Sequence, residues 1–342
     1  MHPKRSSSAP SVNGRLTTWT SCPSGGSRSL RKKAAEEVRG KHEMAVEVAR
    51  FLENVRLTKA PKTFSGYKYD LGLFQESCRK RFLEDIKEAD IKDFIIFLRK
   101  RNLGDRTIFN TLEAAHKFLR ENGVAGMPRK SWPRYTEKAV QAYNEEDLKA
   151  LFNATVEDET MMFKFLLYSG CRDQELMYAC WSDIDFVHKT FTVREKKDLG
   201  FTPKDKEERS VPLPDHFIEL MKERRRLYPD ARLIFTNSVG RPEGHFLRIL
   251  KDVVFNAGLN CGQCVNKKGL SCKDNPTCKK WELHRFRKSF ATLHHEAGIS
   301  ARTLQAWLGH SDLETTLAYL QVADMRSART RGQVNNTFAA IA

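Results

Sequence analysis

The chain is short of acid and has no long apolar run. Asp and Glu number 43 against 59 Lys and Arg in 342 residues, a formal charge of +16 and an isoelectric point near 9.5. That imbalance favours polyanions, which it steers to the surface and binds through counterion release. It points to a nucleic-acid partner without naming a reaction, since non-enzymatic nucleic-acid-binding proteins are equally basic. No apolar stretch approaches the ~20 residues needed to cross a bilayer, which argues against a membrane protein. The first residues contain no hydrophobic segment of the secretory kind, so a cytoplasmic location is expected. In a reducing compartment the eight cysteines do not read as a disulfide framework, and metal binding or burial is left to account for them.

Apolar periodicity is also missing from residues 1–32, which are rich in Ser, Gly, Pro and Arg and read as a flexible basic arm. Weak phosphate contacts and a merely solvated tail are both open for it. The length exceeds what one ordinary core supports and suggests two domains. Residues 33–125 form the first. Apolar positions such as Ala45, Val46, Val48, Ala49, Phe51 and Leu52 recur at spacings of three and four, and four helices are expected, one from an Asp105 N-cap to Gly123. Basic clusters such as Arg79-Lys80-Arg81 are either solvated helix faces or DNA contacts. Residues 126–138, with two prolines and several basic side chains, suit neither a helix nor a sheet interior and read as a basic linker.

The second domain, 139–325, opens on the capping pattern Asn144-Glu145-Glu146-Asp147. An apolar helix then ends at Gly170 and delivers the chain to Cys171-Arg172-Asp173-Gln174-Glu175, where an arginine precedes a helix start and Glu175 lies one turn on. Short alternating runs at 183–186, 190–193 and 209–213 read as a small antiparallel sheet, and the polar connection before the last contains Lys204. His284 and Arg287, three apart on a helix, share a face. Leu308-Gly309-His310 follows, and Tyr319 stands nine residues past His310. Histidines and arginines beside a tyrosine hydroxyl suit attack on an anion that the arginines hold, and on so basic a chain the anion expected is a DNA phosphate.

In order and approximate spacing, Arg172, Lys204, His284-x-x-Arg287, His310 and Tyr319 resemble the tyrosine recombinase or phage integrase family. Ser169-Gly170-Cys171-Arg172 looks like its first arginine box, and Leu308-Gly309-His310-Ser311-Asp312 with Thr315-Thr316-x-x-Tyr319 looks like its last. The resemblance implies a mainly α-helical protein with a small antiparallel β-sheet in the catalytic domain, an α+β, two-domain DNA clamp. It implies that Tyr319 is the nucleophile, that Arg172 and Arg287 stabilise the phosphate, and that Lys204 is the general acid. His284 and His310 would contact the phosphate or position the tyrosine, with His284 the better proton acceptor and Glu175 supporting the arginines. The implied product is a 3′-phosphotyrosine linkage, formed with no cofactor and resealed without ATP. The implied partners are double-stranded DNA recombination sites bound by a homotetramer, with accessory DNA-bending or directionality factors, and the setting is a bacterial nucleoid. A type IB topoisomerase-like enzyme, a transposase or resolvase relative and a non-catalytic DNA-binding relative are the rivals.

One stretch departs from the family plan. Cys261, Cys264, Cys272 and Cys278 lie in an insertion at 259–281 with the spacing C-x2-C-x7-C-x5-C, among five lysines. Four thiolates so placed suit a structural Zn2+; free thiols, a redox pair at Cys261 and Cys264, and disulfides are the alternatives. Residues 326–342 form a polar tail ending in Phe338-Ala339-Ala340-Ile341-Ala342, which would dock on a neighbouring protomer or fold back on its own domain.

Overall fold

The computed structural model describes residues 40–136, 141–204, 208–317 and Gly332. The chain divides into two units, 1–137 and 138–342, each with its own core.

The first unit holds helices α1 (Met44–Thr58), α2 (Pro61–Ser77), α3 (Glu88–Lys100) and α4 (Asp105–Glu121). Apolar residues at helical spacing turn inward. Along α4, Ile108, Leu112, Ala115, Phe118 and Leu119 are buried, and along α3 so are Ile91, Phe94 and Leu98. The core is aromatic, with Phe51 edge-on to Phe118 at 5.6 Å and Phe74 edge-on to Phe94 at 5.1 Å. Helix α4 begins one residue earlier than the Asp105 cap predicts. Gly104 is the N-cap and Asp105 the first helical residue, while Gly123, at φ +72°, follows the C-terminus. Met127 and Trp132, in the stretch read as a linker, are buried in this core, and the Trp132 Nε1–H donates to the Met127 carbonyl at 2.9 Å. Trp132 also packs edge-on against Phe109 and His116.

The second unit runs α5 (Glu145–Ala154), α6 (Glu157–Ser169), α7 (Asp173–Met177), strands β1 (Ile184–Asp185), β2 (Thr190–Val193) and β3 (Arg209–Pro212), then α8 (Asp215–Leu227), α9 (Phe246–Asn256), α10 (Leu283–Glu296), α11 (Ala301–Leu308) and α12 (Leu313–Leu317). The Asn144 side chain accepts the Asp147 N–H at 2.7 Å, as the capping pattern requires. From Met161 onward helix α6 is apolar on most sides because it is buried on most sides. Its Phe165 meets Phe191 of β2, Phe217 of α8 and Phe235, while its Phe163 stacks on Phe286 of α10 at 5.7 Å. The three strands pair antiparallel in the order β1-β2-β3, with Phe191 opposite Val211 and Val193 opposite Arg209. Since side chains alternate along a strand, Arg209 and Val211 face inward together and Ser210 faces solvent. Among the described residues no helix is long and apolar enough to cross a membrane.

Candidate active site

Helix α6 ends at Gly170, which is left-handed at φ +59°. A Cβ there would stand 2.6 Å from the ring of Phe290 on α10, so glycine is required for both the turn and the approach. The turn brings Arg172 to the N-cap of α7, where its own N–H donates to the Glu175 carboxylate at 2.8 Å. The Arg172 guanidinium donates to the other Glu175 oxygen at 2.9 Å. Glu175 is 3% exposed and carries a second guanidinium, Arg209, which donates to both of its oxygens.

The C-terminus of α11 completes the cluster. Three successive carbonyls there lack intrahelical donors and each receives an arginine. Arg209 Nε donates to Trp307 at 2.8 Å, Arg287 Nη2 to Leu308, and Arg172 Nη2 to Gly309 at 3.4 Å. Arg287, 1% exposed, also reaches back to the Gly170 carbonyl at 2.7 Å. Three guanidiniums against one carboxylate leave two positive charges at one helix end, in surroundings dry enough to strengthen their pull on an anion. Gly309, at φ +62°, is the second indispensable glycine, because a Cβ would lie 2.9 Å from Arg209 Cδ.

Burial would raise the Glu175 pKa, yet the hydrogen bonds and charge of Arg209, aided by Arg172, hold it below the ordinary carboxylate value. His284, in the first turn of α10, opens to solvent on one side. The protein crowding its other side, then the charges of Arg287 and Arg172, lower its pKa from 6.5, and the charge of Lys204 acts in the same direction. His310 follows α11 directly, and its Nδ1 lies 2.9 Å from the hydroxyl of buried Thr316. A cleft of about 410 Å³ opens beside His310, walled by Ser210, Arg302 and Gln305 among others. Lys204 is exposed on the β2–β3 connection, whereas Lys196 of the same connection is buried against Asp183 at 2.9 Å.

Arg172, Glu175, Arg287, His310 and His284 therefore come together, with the charge of Lys204 felt at His284. Tyr319 lies outside the described residues, as do the arm at 1–32 and most of the tail at 326–342. The motifs did not single out Arg209 as a site residue. Its signal was the period of two that aligns it with Val211 on the buried face of β3.

The second cluster is at the other end of the approach to α10. The Sγ atoms of Cys261, Cys264, Cys272 and Cys278 lie within 4.8 Å of one another, with Cys261 and Cys272 at 3.6 Å. A tetrahedral zinc with bonds of ~2.3 Å separates its sulfurs by ~3.8 Å, so the thiols fit such an ion. Backbone N–H groups already point at them, from Cys261 to the Cys278 sulfur at 3.3 Å and from Lys279 to the Cys264 sulfur at 3.1 Å. Bonds from the Gln263 backbone pull the Cys261 thiol down to about 6, while burial pushes Cys264 up to about 12 and raises Cys278. All seven described cysteines are free thiols.

The family model of the phage integrase family matches residues 137–326, and that of the phage integrase N-terminal SAM-like domain matches 48–122. The chain belongs to the phage integrase family. It is thereby a tyrosine recombinase, an enzyme class that cleaves and rejoins DNA. A tyrosine recombinase of Thermosipho africanus is 26% identical over 292 residues, which cover 80% of this chain and 93% of that protein. Tyrosine recombinase XerD of Rickettsia conorii is 26% identical over 321 residues, 84% of this chain and 98% of its own. Among solved structures, the Tn1549 transposon integrase in complex with a circular intermediate DNA aligns with a TM-score of 0.65 at 17% identity, covering 85% of this chain and 99% of that one. A lambda integrase tetramer bound to a Holliday junction aligns with a TM-score of 0.65 at 14% identity, covering 85% and 80%. At these identities the structures establish the shared fold.

Proposed function

We propose that this chain is a site-specific recombinase that cuts and reseals double-stranded DNA through a 3′-phosphotyrosine linkage at Tyr319, without ATP. The observation that carries the reading is the gathering of Arg172 and Arg287 at the end of α11, next to His310 and within electrostatic reach of His284. Both guanidiniums are anchored by carbonyls or Glu175, so their charge is fixed in place before a phosphate arrives.

In this mechanism the Tyr319 oxygen attacks phosphorus and the bond to the 5′ oxygen breaks. The phenol proton passes to His284, whose lowered pKa keeps it neutral and able to accept it. The leaving 5′ oxygen takes a proton from Lys204, an exposed residue of the β2–β3 connection. Arg172 and Arg287 stabilise the equatorial oxygens, and the hydrogen bond between His310 and Thr316 holds the His310 ring. The phosphotyrosine bond conserves the energy of the broken phosphodiester, so a 5′ hydroxyl from a second duplex reseals the strand by the reverse steps. The lambda integrase tetramer on a Holliday junction supports a homotetramer on two DNA sites. Zn2+ is assigned to Cys261, Cys264, Cys272 and Cys278, where it would cross-link the insertion; no step of catalysis is assigned to it.

The test is incubation of wild type and Tyr319→Phe with labelled, nicked duplexes tiled across the DNA flanking the gene. An SDS-resistant adduct with wild type alone, at equal DNA affinity, is the expected result. Adduct formation by Tyr319→Phe would overturn the nucleophile. Relaxation of any supercoiled plasmid, without exchange between sites, would replace the recombinase reading with a topoisomerase.

A further inference from the structure

Resting on the assignment of zinc above, we infer that the four-cysteine centre is a positioning device for the catalytic helix, holding the first turn of α10 where His284 and Arg287 can work. Between 261 and 280 the buried residues are Cys272 and Cys278 alone, while Val265 and Leu270 stand exposed. A segment with so little core of its own cannot offset the entropy of being ordered, and a metal cross-link supplies what its packing lacks.

The order it gains is passed on through Trp281. That side chain is 1% exposed, donates from Nε1 to the Leu259 carbonyl at 3.0 Å, and stacks on Tyr143 at 5.1 Å. The Tyr143 hydroxyl in turn grips the residue that caps α10. It donates to the Glu282 carbonyl at 2.9 Å and accepts the Glu282 N–H at 2.8 Å. Arg285, one residue past His284, ties the same turn to both sides. It donates to the Lys280 carbonyl on the cysteine side and to the Gln141 and Ala142 carbonyls on the other, with its guanidinium 4.5 Å from the Tyr143 ring centre. Lys280 itself pairs with Asp147, and Lys251 of α9 donates to the Cys278 carbonyl. Residues 278–282 are thus each bonded to another part of the second unit. Cleavage needs its histidine and arginine placed to within a fraction of an ångström, and that continuity suits such a demand.

The experiment measures zinc in the purified full chain with a chromogenic chelator and follows backbone hydrogen exchange in holoprotein, in chelator-stripped protein and after reloading with Zn2+. About one zinc per chain is expected. Stripping should speed exchange at least tenfold across 278–290, leave 157–169 and 215–227 unchanged, and be reversed by reloading. Tyr143→Phe, which keeps the ring and loses the hydroxyl grip, should retain full zinc, loosen the first turn of α10, and slow cleavage about tenfold at unaltered DNA affinity. A preparation without metal, α10 protection indifferent to metal loss, or uniform loosening of the whole second unit would each overturn the inference. A chain that never forms a DNA adduct but whose α10 protection follows zinc would defeat the catalytic reading and leave this one standing.

Discussion

The arginine cluster and the cysteine cluster flank the same helix and are built on opposite principles. The first joins residues 172, 175, 209, 287 and 307–309, drawn from four elements, and its guanidiniums are already held by Glu175 and by helix-end carbonyls. The second lies within 18 residues of sequence, and its sulfurs repel one another once ionised unless a cation joins them. A site assembled from distant parts must be rigid before its ligand arrives. One assembled from neighbouring residues can let the ligand complete it. The arginine site is accordingly locked into the core, and the thiol site sits at its edge.

Breaking the arginine cluster should have the largest effect on stability. Glu175→Gln leaves Arg209 buried beside a neutral amide and should cost about 3–5 kcal/mol in denaturant unfolding of the second unit. Because the folded pKa of Glu175 lies below its unfolded value of 4.5, the unfolded chain takes up the proton first as pH falls. The contribution is therefore complete above 4.5 and lost on further acidification, and the gap between wild type and variant should close there. A gap that persists unchanged at low pH would show that shape, and not charge, is what the carboxylate supplies.

Next in size is the effect on catalysis. Arg287→Lys retains the charge but cannot donate to Gly170 and Leu308 while also presenting a planar fork to a phosphate. Cleavage of a matched duplex should fall by on the order of 10²-fold, about 3 kcal/mol, with DNA affinity nearly intact. Near-normal cleavage would mean that positive charge alone suffices and that the anchoring carbonyls serve the fold.

The two clusters were legible in the sequence for different reasons. The gathering of the thiols could be read from spacing because all four lie within 18 residues, and Arg172, His284, Arg287 and His310 could be read because their boxes resemble those of a family. The helices and the sheet followed from periodicity, down to the Gly170 and Gly309 stops. Arg209 was hidden because its role depends on which carbonyl lies across the gap, and β3 pairing fixes that only in three dimensions. Trp132 was misleading in the other direction. Its neighbouring prolines and basic residues spell a linker, yet a single indole with a donor satisfied by Met127 is enough to pin that stretch to the first core. Tyr143 gave no signal at all, since a tyrosine ahead of a helix cap resembles many others until its hydroxyl is seen on Glu282.

The finest distinction between the clusters is electrostatic and falls on His284, the residue that both act upon. Crowding by protein and the charges of Arg287 and Arg172 oppose its protonation, so the neutral base should persist below pH 6.5. The acid limb of single-turnover cleavage should consequently lie below that pH. Removing a cation in Arg172→Ala should move the limb upward even as the rate falls, whereas stripping zinc should lower the rate without lifting the limb in the same way, because the thiol centre would act on where the imidazole stands and the arginines on whether it holds a proton. An acid limb above 6.5 in the wild type would take His284 out of the role of proton acceptor.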